Sequence, residues 1–377
     1  MRQDPKKRIF SWRNATIYFV LLDRFYNGNP ENDHSYGRSC YEDGKIVTQE
    51  YKNSHGPGEF HGGDLKGLIE KLKEGYFTDL GVDAIWISAP YEQVHGFISA
   101  NLYEGTVKGN GFPYYPYHGY WELDYKRIDK NIGTEEEFRE FVDTAHNLGI
   151  RIIMDVVLNH VGYPSMRDVD EYDFGDLRDG WQDYYYGDYS QLIGQMAVED
   201  IYYKKDSDKW ANNWWRPDFI RASDGFKGYD KGIEGDEVES CVSNLPDIKT
   251  ESKEEVDIPA ILKTKWKREN RYEKEKGELD DFFEKRKLPR TPRNYVIKWL
   301  TDYVREYGID GFRCDTAKHV ELEAWKALHD EAEIALREYK QECSIKGKKI
   351  LDKAIDVKKD DEFWTTGEAW GHGTGKD

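Results

Sequence analysis

Two short segments of this chain end apolar runs on carboxylates. Gly311-Phe-Arg-Cys-Asp-Thr-Ala-Lys-His319 carries Asp315, and Gly367-Glu-Ala-Trp370 carries Glu368. Paired carboxylates at the ends of separate strands are the equipment for retaining glycoside hydrolysis, one attacking the sugar carbon while the other protonates the leaving oxygen. Arg313 and Asp315 stand two apart, so on a strand they share a side and the guanidinium favours the ionised carboxylate that a nucleophile needs. Glu368 lies beside Ala369 and Trp370 with no basic neighbour in sequence, a setting that predicts the protonated form of a general acid. Taken alone, both segments are better accounted for by an ordinary Arg–Asp ion pair and a Glu at a strand exit.

A third segment ends in the same way. Asp155-Val-Val-Leu-Asn159-His160 closes a buried run with three polar groups, and Asp155 needs a partner there, for which Arg313 is the candidate.

Positioning these groups calls for strands. The runs Thr16–Leu22, Val82–Ser88, Ile150–Leu158, Ile309–Arg313 and Phe363–Thr366 are apolar on both faces, as buried parallel strands are. Segments of helical period alternate with them. One is Asp64–Leu80, ended by Gly81, and another follows a Thr134/Glu137 capping box. A third opens at Thr291-Pro292 and stops at Gly308, and a fourth carries Leu322, Trp325, Leu328, Ala332 and Leu336. This alternation predicts an α/β fold. In a (β/α)₈ barrel, polar groups gathered at C-terminal strand ends read as catalytic. The rhythm breaks between His160 and about Pro292, too long a stretch for a loop. Residues 161–247 are therefore expected to form an inserted subdomain between barrel segments 1–160 and 248–377. The charged run Lys253–Arg293 is expected to be a solvated helix with its loops.

Composition narrows the classes. The chain has 377 residues and a net charge of −18, from 73 acidic and 55 basic side chains, which excludes a basic nucleic-acid surface. Aromatics reach 15% with 12 Trp and 27 Tyr, which suits either sugar stacking or an aromatic core. Four scattered cysteines form neither a zinc framework nor a disulfide scaffold, and Cys314 is expected to be buried and unreactive. No apolar stretch reaches membrane length and no signal-peptide pattern stands at the start, so the chain as written reads as cytoplasmic.

Asp155…Asn159-His160, the Asp315 and Glu368 segments, and Leu245-Pro-Asp-Ile248 together resemble the signature regions of the α-amylase family, glycoside hydrolase family 13. Phe60-His-Gly-Gly-Asp64, Trp86-Ile-Ser-Ala-Pro90 and Thr316-Ala-Lys-His-Val-Glu321 are nearest to its periplasmic members. The resemblance runs from about Asn14 to Gly373 and implies a (β/α)₈ TIM-type barrel acting on starch, glycogen or maltodextrins. It implies Asp315 as nucleophile, Glu368 as general acid/base and Arg313 as the group orienting Asp315. His160 would bond the sugar at the cleavage subsite, with Tyr120 stacking on it and His118 lining it; Lys318 and His319 would contact the leaving-group side. Without that resemblance, Tyr120 and Trp121 read as core packing.

Calcium follows in the same way. The turn Asn27-Gly-Asn-Pro-Glu-Asn-Asp33 is dense in hard oxygen donors, which suits Ca²⁺ or a simple Asx-rich turn. By the resemblance Asn27, Asn29, Asn32, Asp33 and Asp64 would be ligands, with Asn27 standing where an Asp is common. A second Ca²⁺ would use Asn159, Asp247 and the backbone oxygen of His319. The resemblance also implies eight strands, a third catalytic Asp beyond Asp377 and a C-terminal β-domain. The expectation is therefore an incomplete barrel of about five strands: a fragment of a protein that is monomeric at full length, and periplasmic or secreted if the N-terminus is incomplete. The alternatives are a glucanotransferase, or a glucan-binding fragment without catalysis.

Overall fold

The computed structural model describes residues 9–38, 40–42, 45–46, 58–99, 113–162, 165–177, 202–203, 214–222, 228–242 and 245–369. Trp370 and much of the stretch 161–247 lie outside the described residues.

Five parallel strands form the main sheet in sequential order: β1 (Ile17–Val20), β2 (Ala84–Ile87), β3 (Arg151–Val156), β4 (Gly311–Cys314) and β5 (Trp364–Gly367). Each sits inside the apolar run that predicts it or within a residue of it. Buried on both faces, β3 and β4 need no alternation. The register sets Arg313 of β4 opposite Asp155 of β3, so the two polar side chains emerge side by side from an apolar layer.

The helices explain their own limits. α1 (Leu65–Glu74) starts where the Asp64 carboxylate accepts from Gly67 N, and it stops at Gly75, whose φ of 90° is left-handed. α2 (Tyr76–Leu80) then runs to Gly81, so the single helix expected over Asp64–Leu80 is two, broken where only a glycine is unstrained. α3 (Glu135–Leu148) carries the Thr134/Glu137 capping box with both reciprocal bonds made.

The charged run differs from expectation. It forms α4 (Ala260–Arg268) and α5 (Tyr272–Arg286), and neither is merely solvated. Lys265 reaches Glu92 at 2.7 Å and Asp124 at 3.4 Å with every side chain almost wholly buried. Arg271 also pairs with Asp124, and with Glu275 at 3.1 Å. Lys126 meets Asp302 at 2.7 Å. A charge-rich sequence can thus be interior when both signs arrive together.

α6 (Pro292–Tyr307) and α7 (Leu322–Lys346) pack on each other behind β4 and β5. Much of the aromatic excess is core: Trp299 packs near-parallel with Tyr125 at 5.7 Å and with Phe219 at 6.4 Å. All four cysteines are free, and Cys314 is buried as expected. After β2 the chain forms an antiparallel pair, Tyr91–Gln93 with Glu122–Ile128. Trp121 N donates to Gln93 Oε1 at 2.6 Å and Val94 N to Trp121 O at 2.9 Å, which fixes the segment bearing His118 and Tyr120 over the strand ends. Within 161–247, short antiparallel pairs join Asp176–Leu177 to Tyr202–Tyr203 and Ile220–Arg221 to Asp247–Ile248.

Candidate active site

Arg313 is the hub. Its Nη1 lies 2.8 Å from Asp155 Oδ1 and 2.9 Å from Asp315 Oδ1, and its Nη2 lies 2.9 Å from Glu368 Oε2. One guanidinium therefore gathers carboxylates from the ends of three neighbouring strands. Asp315 and Glu368 are also within hydrogen-bonding reach of each other. Thr316, in the left-handed region at φ 46°, points its N–H at Glu368 Oε2 at 3.3 Å, and Ala317 N donates to Glu368 O at 3.0 Å.

The setting of Glu368 differs from the apolar one expected. Ala369 is exposed, Glu368 faces Arg313, and its side chain is 31% exposed against 10% for Asp315. Strand neighbours in space supply the positive charge that sequence neighbours lack.

Burial raises the Asp315 carboxyl, with Arg313 opposing it. Burial likewise pushes Asp155 up to about 7, against the pull of Arg313 and a bond from Tyr120. Tyr120 Oη donates to Asp155 Oδ2 at 2.9 Å, and Trp86 Nε1 approaches the same oxygen at 3.3 Å. The Arg313 guanidinium stands 5.4 Å from the Trp86 ring centroid and 5.9 Å from that of Tyr120.

His118 accepts from Tyr120 N at 3.0 Å through Nδ1, and its ring lies parallel to Tyr120 at 5.4 Å. Desolvation and the nearby His160 lower its pKa. His160 is buried, with Nε2 3.1 Å from Tyr120 O and Nδ1 3.2 Å from Asn159 Nδ2. Burial pushes it down to about 4, so the ring is neutral at pH 7 and both nitrogens are engaged within the protein. Lys318 and His319 sit on the turn after β4 and face Glu237. Lys318 Nζ lies 3.5 Å from its carboxylate and His319 Nδ1 2.7 Å from its carbonyl.

The oxygen-rich turn has donor atoms to spare for a cation. Among the described residues, Asn27 Oδ1 and Asn32 Oδ1 are buried without a hydrogen-bond partner, and Asn27 Nδ2 donates to both Asp33 oxygens, at 2.9 and 3.0 Å. A Cβ on Gly62 would come within 2.6 Å of Asp33 Oδ1, so the glycine keeps this cradle open. Asp64 is otherwise occupied, accepting from Gly67 N, Gly28 N and Asn29 N at 2.6, 3.1 and 2.7 Å. At the second place, Asn159 Oδ1 is buried and unpartnered, while Arg221 Nη1 holds Asp247 Oδ2 at 2.7 Å. The donor sets fit a hard divalent ion at both places, with Asp64 serving the helix and Asp247 shared with a cation of the protein.

Trp86, Glu122 and Arg221 are site residues that sequence reasoning did not single out. The strand period of β2 carries a signal for Trp86. Glu122 is wholly buried, and burial, with Asp315 and Asp155 nearby, raises it far above the usual carboxylate range.

An arginine-bridged carboxylate pair stands at the C-terminal ends of adjacent parallel strands, walled by Tyr, Trp and His, on an α/β scaffold, and such a pair has the parts for nucleophilic and acid–base chemistry. The family model "Alpha amylase, catalytic domain" matches residues 19–227, more than half of the chain. The chain belongs to the α-amylase family. It is 43% identical over 378 aligned residues to the periplasmic α-amylase of Escherichia coli (strain K12), covering 97% of this chain and 48% of that one. Against the cyclomaltodextrin glucanotransferase of Bacillus sp. (strain 1-1), identity is 36% over 150 residues, 40% of this chain and 18% of that one. An α-amylase from Geobacillus thermoleovorans superposes with a TM-score of 0.46 at 20% identity, over 96% of this chain and 48% of that one. The chain thus spans about half the length, or less, of each. No helix among the described residues is long and apolar enough to cross a membrane.

Proposed function

We propose that this chain carries the nucleophile and the acid/base of a retaining hydrolase of α-1,4-linked glucans such as starch, glycogen and maltodextrins. The observation that carries the reading is the meeting of Asp315 and Glu368 on one guanidinium. Pairing with one guanidinium from adjacent strands holds the two carboxylates near each other, the arrangement that direct attack uses. Asp315 attacks the anomeric carbon while Glu368 gives its proton to the departing oxygen. Glu368 then takes a proton from water as that water releases the glycosyl group. Tyr120 offers a ring for the sugar's apolar face. His160 reaches the sugar only by releasing one of its present bonds, and Lys318 and His319 stand beyond Asp315 for the leaving group.

On this reading the five strands are successive strands of a (β/α)₈ barrel. Residues 1–160 and 248–377 belong to it, and 161–247 form a subdomain between them. Ca²⁺ supplies charge that fixes loops in place; Asn27, Asn32 and Asp33 hold one ion, and Asn159 with Asp247 hold another. A periplasmic setting is part of the same reading, by likeness to the Escherichia coli relative.

The test is digestion of maltodextrin followed by proton NMR. The α-anomer is expected first, and Glu368→Gln is expected to lose about 10²–10⁴-fold in kcat, the usual worth of a general acid. First appearance of the β-anomer, or full activity in Glu368→Gln, refutes the assignment. Likeness to the glucanotransferase favours a second reading, in which a sugar hydroxyl replaces water as acceptor. Cyclic or lengthened glucans among the products would identify it.

A further inference from the structure

At the opposite end of β5 from Glu368, three potential ligands converge from two elements. His329 and Glu333 stand four apart on α7 and so share a face; Asp361 lies on the segment leading into β5. His329 Nε2 or Nδ1, a Glu333 carboxylate oxygen and an Asp361 carboxylate oxygen all fall within 4.8 Å of one another.

The details favour an ion over a hydrogen-bonded cluster. His329 Nδ1 is 2.8 Å from Thr365 Oγ1 of β5; with Nδ1–H donating there, Nε2 turns its lone pair toward Asp361. Metal-ligating histidines are oriented in this way, by an oxygen on the other ring nitrogen. Nε2 lies 3.4 Å from Asp361 Oδ1, and the Asp361 carboxylate also meets that of Glu333, so the imidazole and both carboxylates face one another. Two ligands about 2.0–2.1 Å from a tetrahedral Zn²⁺ stand about 3.3–3.4 Å apart, the separation of the His329–Asp361 pair. Glu333 is anchored: its Oε1 accepts from Glu362 N and Phe363 N, and its Oε2 accepts from Arg337 Nη1 at 2.9 Å. The three groups line an open groove of about 890 Å³ between α7 and residues 358–361, so an ion has a path in.

We propose that His329, Glu333 and Asp361 form a site for a borderline-soft divalent cation of the Zn²⁺ class, which ties α7 to the entrance of β5. An imidazole beside two carboxylates suits Zn²⁺ rather than Ca²⁺, which prefers an all-oxygen shell. The site is structural: it lies at the N-terminal end of the strand, away from the candidate catalytic groups. Arg337 competes with the ion for Glu333.

The experiment is calorimetric titration of the calcium-loaded chain with ZnCl₂, paired with the visible spectrum of the Co²⁺ form. The expected result is one equivalent of Zn²⁺ and a tetrahedral Co²⁺ spectrum. His329→Ala and Asp361→Asn should each weaken binding at least tenfold, and Arg337→Ala should tighten it. Circular dichroism checks that each variant is folded, and Asp361→Asn, a surface change of constant size, covers a folding failure of His329→Ala. Absence of saturable Zn²⁺ binding overturns the proposal, as does full affinity in either ligand variant. So does a protonated His329 that NMR shows unmoved by Zn²⁺.

Discussion

Asp155 allows the electrostatics of the candidate site to be tested without assaying catalysis. Its side chain is wholly buried, and burial pushes its carboxyl up to about 7 although Arg313 lies 2.8 Å away. In the unfolded chain an Asp titrates near 3.9, so the shift is about three units, each worth about 1.4 kcal/mol. The sign follows from proton binding. Between pH 4 and 7 the native state keeps a proton that the unfolded state has released, so stability falls as pH rises through this window. This contribution is fully present below pH 4 and is lost above 7, a change of about 4 kcal/mol at most. Asp155→Asn keeps the shape, carries no ionisable proton and leaves Arg313 its bonds to Asp315 and Glu368. Urea unfolding of both proteins from pH 4 to 8 should therefore show the difference between them moving in favour of Asn by about 2–4 kcal/mol, while titrations away from Arg313 cancel. A difference that stays flat, or that turns toward the wild type as pH rises, refutes the account of Asp155 as a carboxyl held up by burial.

Two further outcomes follow from the buried charges. Lys265→Met should cost about 3–5 kcal/mol at pH 7, because Glu92 and Asp124 lose their shared cation in the interior. Glu92 is held down to about 2, burial being outweighed by Lys265 and His95, so the loss should shrink as pH falls toward that value; equal Tm values for the two proteins at pH 7 would contradict it. Removing calcium with a chelator should lower Tm, by an equivalent of about 2.7 kcal/mol when free Ca²⁺ had been at a hundred times Kd. Asn159→Leu, which deletes a buried unpartnered oxygen, should blunt that drop, and a chelator-insensitive wild type would argue against both calcium places.

The strands were legible as short apolar runs, on which β1 to β5 fall; β3 and β4 are buried throughout as expected, whereas the edge strands β1 and β5 stay partly exposed. The capping box of α3 was legible because its partners are three residues apart. What escaped was long-range. Trp266 and Arg271 reach Asp124 from 142 and 147 positions away, and nothing local in Lys253–Arg293 tells a buried network from a wet helix. The break at Gly75 escaped for a different reason. A helical stripe continues in phase across it, and only the backbone angle shows the interruption. The Asp155–Arg313 pair could be anticipated, since a buried carboxylate must find a cation and Arg313 stood at the end of the next strand. That Arg313 would serve Glu368 as well could not, because it depends on how β5 sits beside β4.

That sharing alters the reasoning about protonation. An apolar pocket would protonate a glutamic acid by desolvation alone, but Glu368 faces a guanidinium and is partly in water. Three carboxylates crowd one positive charge, and it is the two buried ones, Asp155 and Asp315, that are raised. While water fills the rim, that excess negative charge is screened. A sugar chain lying across Tyr120 would displace the water, and the same charges would then repel in a lower dielectric. Desolvation falls hardest on the most buried member, so a proton shared among the three is held most readily by Asp155, which burial pushes up to about 7. Glu368, at 31% exposure against 10% for Asp315, is the member that water and a departing sugar oxygen can reach. On the proposed reading, that access makes Glu368 the acid/base, while Arg313 opposes the burial that raises Asp315.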